Sequence, residues 1–153
     1  MGGSEDLNSV SQAGTLADAF GRAAKSVGRA FDDRLGEHGV STPRSKLLAE
    51  VDRLQPVRLA DVARAVGISQ GTASTLVEAL VRDGLVVRTA DSVDRRAVRL
   101  TTTPEGAAQA KAWFSDYLRI AEELFSSLAP AEQRALTDVL NRLADAVNGP
   151  PQN

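Results

Sequence analysis

"LADVARAVGISQGTASTLVEALVRDGLVVR", Leu59 to Arg88, is the stretch that decides the fold of this 153-residue chain. Leu59, Val62, Ala63 and Val66 share one helical face, so a short helix is predicted over Leu59–Val66. Gly67 supplies a tight turn. Ser69 is a good N-cap for a second helix, Gln70–Asp83, whose inward set is Ala73, Leu76, Val77 and Leu80. Gly84 stands where a helix ends in left-handed backbone. A helix, a glycine turn and a second helix with a polar start form a helix-turn-helix.

Outward from that unit, "LVVRT" (85–89) and "RAVRLTT" (96–102) are short and β-branched, with the polar turn "ADSVDR" between them, which predicts a two-stranded hairpin. Thr103 then caps a helix with Pro104 as its first residue. Ala107, Ala110, Phe114, Tyr117, Ala121, Leu124 and Leu128 follow a heptad rhythm along it. Pro130 starts a last helix with Leu136, Leu140, Leu143 and Val147 on one face. Upstream, Leu16, Phe20, Ala24, Val27, Phe31 and Leu35 form the stripe of a long first helix, ended by Gly36 and Gly39. Thr42 and Pro43 start a further helix, with Leu47, Leu48, Val51 and Leu54 inward.

These elements predict a mainly α fold with a small β-hairpin wing. The chain divides into a flexible tail (1–10), an N-terminal dimerisation helix (11–38), a winged helix-turn-helix lobe (42–102), C-terminal dimerisation helices (103–148) and a tail (149–153). The apolar stripes outside the lobe are the argument for a homodimer, because two such lobes must be held about one DNA turn, ~34 Å, apart to read a duplex.

Charge is distributed unevenly. The chain carries −2 overall, yet from Arg58 to Arg99 seven arginines face five acids, so this segment is +2 and the remainder −4. Binding follows the local field rather than the total. There is no cysteine, which excludes disulfides and thiolate metal sites, and the single histidine, His38, cannot build a zinc site unaided. No metal or cofactor is expected. No apolar run approaches the ~20 residues that span a bilayer, and no signal-peptide pattern opens the chain, so a cytoplasmic protein is expected.

The order of elements, "LADVARAVGISQGTASTLVEALVRDGLVVR" and "DSVDRRAVRLTTTPEG" together resemble the MarR family of bacterial winged-helix transcriptional regulators. Asp94-Arg95-Arg96 fits the family's Asp-x-Arg at the wing. Two positions depart from the pattern. Thr102 stands where Leu is usual, which predicts weaker packing at the strand's end, and Ala129 precedes Pro130 where Ser or Thr is usual, which predicts a poorer cap. The resemblance implies a homodimer that binds a pseudo-palindromic duplex, most often as a repressor. In many relatives a small phenolic or lipophilic effector binds between the dimer helices and the DNA-binding lobe and releases the DNA. The absence of cysteine excludes the family's peroxide-sensing thiol variant.

Residue chemistry points the same way. Ser69, Gln70, Gly71, Thr72, Ser74 and Thr75 put small hydrogen-bonding groups on a helix N-terminus, where free N–H groups favour phosphate and where a helix can read base edges in a major groove. Arg95 and Arg96 sit at a projecting tip suited to a narrow minor groove. Asp94 beside them is expected to pair with an arginine and aim it, and the resemblance makes that arginine Arg96. Arg88 and Arg99 on the strands are candidate phosphate contacts, with Arg58 and Arg82 weaker ones. His38, Trp113 and Tyr117 are candidate lining for an effector pocket, although core packing explains the two aromatics as well.

No His/carboxylate, Ser/His/Asp or phosphate-loop arrangement is present, so an enzyme is not expected. The rival reading is a winged-helix dimer that has lost DNA binding and acts as a protein-interaction module or anti-repressor.

Overall fold

The computed structural model describes residues 4–36 and 42–149. Six helices and one hairpin follow in the order α1 (Ser4–Gly36), α2 (Thr42–Leu54), α3 (Leu59–Val66), α4 (Gln70–Arg82), β1 (Val86–Ala90), β2 (Val98–Thr102), α5 (Pro104–Leu124) and α6 (Pro130–Asn148). His38 and Gly39 lie outside the described residues. α1 begins inside the stretch predicted as tail. No proline interrupts residues 4–36, and Glu5 and Asp6 are the residue types that suit a first helical turn.

The lobe's core gathers the faces read from the sequence. Leu47, Leu48 and Val51 of α2, Val62 and Ala63 of α3, and Ala73, Val77 and Leu80 of α4 are buried with Leu85, Val86 and Leu100 of the wing. Leu59, Val66 and Leu76 pack on its edge. Gly67 (φ 77°) and Gly84 (φ 73°) take the left-handed conformation that closes α3 and turns the chain out of α4.

β1 and β2 pair antiparallel, from Val86 opposite Thr102 to Ala90 opposite Val98. Val57 adds a single bridge to Leu100: the Leu100 N–H donates to Val57 O at 2.8 Å and the Val57 N–H donates back at 3.1 Å. The wing is thereby stitched to the α2–α3 connection. Thr103 accepts the Gly106 N–H at 3.0 Å, capping α5, and its hydroxyl donates to Gly84 O at 2.7 Å. Gly106 sits so close to the wing's root that a Cβ there would lie 1.9 Å from Leu85 O.

Two expectations need correction. The seam α5 turns inward is Gly106, Ala110, Trp113 and Ile120, with Tyr117 and Leu124 beside it. The predicted heptad shares Ala110, Tyr117 and Leu124 with this seam, but Trp113 takes the inward place read for Phe114, which is 49% exposed. Two adjacent apolar seams on one helix give the same rhythm, and only the partner helices, α1 and α2, select between them. Thr102 does not leave the strand's end loosely held. Its hydroxyl donates to Asp52 Oδ1 at 2.8 Å and its N–H donates to Gln55 Oε1 at 2.9 Å, so polar contacts replace the apolar one. Ala129 gives α6 no side-chain cap, as expected, while Glu132 reaches back to accept the Ala129 N–H at 2.7 Å.

The body helices are incompletely covered. Among the α1 residues whose burial is described, those toward the C-terminal end pack on the chain: Leu35 is buried and Phe31 half-buried, while Leu16 and Phe20 are exposed. α6 buries no residue at all. Leu136, Val139, Leu140 and Leu143 are all exposed on it.

Candidate nucleic-acid interface

The first turn of α4 faces solvent. Ser69, Gln70, Gly71, Thr72 and Thr75 are exposed and Ser74 is half-buried. Some of these groups are occupied by the helix itself. Ser69 Oγ accepts the Thr72 N–H at 3.1 Å, as an N-cap should, and donates to Thr72 Oγ1 at 2.9 Å. Thr75 Oγ1 donates back to Gly71 O at 3.2 Å. A Cβ on Gly71 would meet nothing nearer than Ser69 Oγ at 3.9 Å, so the fold does not require glycine there. What glycine provides at that position is a bare backbone on the exposed turn.

The wing is the antiparallel hairpin of β1 and β2. Its tip is closed by the Ala97 N–H donating to Asp94 O at 2.9 Å. Asp94 does not aim a guanidinium: its Oδ1 accepts the backbone N–H of Arg96 at 3.0 Å. Within a tight turn an Asp side chain is nearer the amide two residues on than the far end of that residue's side chain. Asp94 therefore holds the turn backbone at Arg96.

The acid that does hold a guanidinium is Asp91, which the sequence reading missed. It is only 6% exposed. Its Oδ2 receives Arg99 Nε at 2.6 Å and lies 3.6 Å from the Arg58 guanidinium, and its Oδ1 accepts the Val93 N–H at 2.9 Å. The Val93 N–H first, and the Arg99 hydrogen bond second, lower the Asp91 carboxyl from 3.8 to about 2. The spacing Asp91-Ser92-Val93 at the start of a polar turn was the available signal, since Asp there bonds its own backbone two residues on.

Sorting the lobe's arginines by partner isolates the wing. Arg58 and Arg99 meet Asp91, Arg64 meets Asp61, and Arg82 lies beside Asp83, which also takes Arg44. Among the described residues, Arg88, Arg95 and Arg96 form no ion pair, and all three are exposed. Arg99 is thus less available to a phosphate than the sequence reading had it, because the strand register brings it alongside Asp91.

Behind the lobe, between α2 and α5, lies a cleft of about 500 Å³. Trp113, Phe114 and Tyr117 line it, and so do Lys46 and Lys111, two of the chain's three lysines. The Tyr117 ring stacks on Phe31 at 4.9 Å and on Trp113 at 5.1 Å. Trp113 Nε1 is buried without a hydrogen-bond partner. Among the described residues, no cluster of three His, Asp or Glu could hold a metal ion, and no helix is long and apolar enough to cross a membrane.

A two-helix reader with a projecting hairpin, mounted on long helices, is the winged helix-turn-helix of a transcriptional regulator. The chain belongs to the MarR family. The family model matches residues 38–97. The HTH-type transcriptional regulator YkoM of Bacillus subtilis is 30% identical over 134 residues, 87% of this chain and 86% of its own. A second regulator of that organism, YwaE, is 29% identical over 84 residues, 55% of this chain but 49% of its own, so the match spans about half the length of that relative. Among solved structures, BpsR of Bordetella bronchiseptica, whose DNA binding is regulated by 6-hydroxynicotinic acid, superposes with a TM-score of 0.76 at 25% identity, covering 85% of this chain and 93% of BpsR.

Proposed function

We propose that this regulator is a homodimeric, sequence-specific DNA-binding repressor whose affinity is set by a small aromatic effector. The observation that carries the reading is the sorting of charge. Among the described residues of the lobe, the arginines without an acid partner, Arg88, Arg95 and Arg96, all lie on the wing, and the polar first turn of α4 is exposed as well. In this reading Gln70, Gly71 and Ser74 reach base edges, Ser69, Thr72 and Thr75 hold the helix start against the backbone, and Arg95 and Arg96 enter the minor groove. Arg88 meets phosphate. Asp94 acts through the turn that presents Arg96.

The dimer reading rests on uncovered surface. A compact chain of this length exposes about 7,500 Å², whereas this one exposes 10970 Å². The excess is surface that a partner subunit would cover, and the exposed apolar groups on α1, α5 and α6 would form the interface. The effector reading rests on the α2–α5 cleft. Its stacked rings suit an aromatic ring, and Lys46 and Lys111 suit an anion. The regulation of BpsR by 6-hydroxynicotinic acid is consistent with such a ligand.

Fluorescence anisotropy against random and selected duplexes across a salt series tests the central claim. Several phosphate contacts require affinity to fall steeply with salt. No salt-sensitive binding at low ionic strength would leave the chain as a protein-interaction module.

A further inference from the structure

We propose that Asp52 couples the α2–α5 cleft to the wing, acting with Gln55 on Thr102; the inference rests on the reading that the wing binds DNA and the cleft takes an effector. Asp52 stands in the last turn of α2 and lines the cleft. Its Oδ1 also accepts the Thr102 hydroxyl at 2.8 Å and Gln55 Nε2 at 3.2 Å. Gln55 Oε1 in turn accepts the Thr102 N–H at 2.9 Å and lies 3.1 Å from the Thr102 hydroxyl. One carboxylate therefore borders the cleft and grips the last residue of β2, opposite Val86, where the wing joins the body.

The wing's other anchors behave differently. The Val57–Leu100 bridge and the Thr103 contacts to Gly84 and Leu85 are made to backbone atoms beside the lobe's core. None of those residues lines the cleft. A leucine at position 102 would hold the strand by non-directional packing, which tolerates small sliding. Thr102 holds it by hydrogen bonds, which weaken steeply with misalignment. An occupant that spreads α2 from α5 moves Asp52 and Gln55 relative to β2, loosens the Thr102 contacts and frees the root of the wing. Asp52 is thus a positioning residue for Arg88, Arg95 and Arg96, all of which the hairpin carries.

Because the chain has no cysteine, a single one can be placed in the cleft and alkylated without side reactions. Ala107 lines it. In Ala107→Cys, modification with N-benzylmaleimide fills the cleft with a ring and needs no knowledge of the natural effector. The expected result is exchange of the Thr102 amide hydrogen faster by about tenfold, with that of Leu100 changed by no more than about twofold. Affinity for DNA falls by roughly fivefold on modification. In the double variant with Thr102→Val the unmodified protein still binds DNA, and modification changes its affinity by no more than about twofold, whereas Thr102→Ser restores the response. If the Ala107 adduct unfolds the chain, Lys111→Cys on the same cleft takes its place. Unchanged Thr102 exchange on modification overturns the proposal, and so does a Thr102→Val protein that responds as fully as its parent. Failure of the unmodified chain to bind DNA would instead sink the DNA reading, with the amide exchange still judging the coupling.

Discussion

Arg99 Nε lies 2.6 Å from Oδ2 of Asp91, a carboxylate buried where the strands of the wing pass into its turn. The same carboxylate draws Arg58 to 3.6 Å and holds the Val93 amide. One buried acid thus gathers two cations at the turn end of the hairpin strands and shapes the turn that follows. The cations of Arg95 and Arg96 are left at the tip, where Asp94 bonds the Arg96 amide and not a guanidinium.

Asp91 gives the wing a defined acid limit. Its folded-state carboxyl is lowered from 3.8 to about 2. The stabilisation it supplies is therefore complete above about pH 4 and is lost as pH falls through about 2. Followed by NMR, the Val93 amide should keep its bonded shift to about pH 3 and lose it below. In Asp91→Asn the shift should be independent of pH over that range. A wing that opens at pH 5 in the parent protein would mean that this carboxylate does not hold the turn.

The arginines should separate by partner. Arg96→Ala should weaken specific binding by about 1–3 kcal/mol, the scale of a good groove contact. Arg95→Ala and Arg88→Ala should each flatten the salt dependence by about one charge. Arg99→Ala, whose charge is already met by Asp91, should flatten it less. Anisotropy titrations at four or more salt concentrations decide this, and an Arg99 effect equal to that of Arg95 would contradict the charge sorting.

Gly71→Ala separates fold from function. The added methyl meets only Ser69 Oγ at 3.9 Å, so folding should be unharmed and stability raised by up to about 1 kcal/mol from helix propensity. Affinity for DNA should fall in the same protein. Thermal melts paired with binding curves check both halves. Gln70→Ala should shift sequence preference more than nonspecific affinity.

Gly106→Ala should do the opposite. Its Cβ would stand 1.9 Å from Leu85 O, so either α5 or the wing's root must move. Overpacking of this kind costs about 3 kcal/mol. Chemical denaturation measures it, and a change under about 0.5 kcal/mol would mean that the junction is far softer than the geometry implies.

Leu143→Glu tests the uncovered face. Leu143 is 46% exposed on a helix that buries nothing in its own chain. The variant should sediment as a monomer, with the near-UV signal of Trp113 retained and DNA affinity sharply reduced. A dimer of unchanged stability would place the interface elsewhere.

The helix-turn-helix was legible because its signals are local. Ser69 as cap, Gly67 and Gly84 as left-handed stops, and Thr103 before Pro104 each act within four residues, and each stands where it was read. The faces of α3 and α4 were legible for the same reason, since a period of 3.6 assigns them without knowledge of the partner. The seam of α5 was not, because Trp113 and Phe114 are neighbours and either could head an apolar stripe.

The wing divides along the same line. By itself the sequence determined that a hairpin stands between α4 and α5, that its turn is rich in arginine and that the body helices carry apolar stripes. These follow from residue type and short-range geometry. Tertiary structure alone decided which acid meets which cation, that Asp94 bonds an amide while Asp91 takes Arg99, and that Thr102 is gripped by Asp52 and Gln55. Residues 52 and 102 are fifty positions apart, and their meeting depends on how α2 lies across the end of β2. A polar side chain advertises only that it needs a partner, and the fold determines which one it finds.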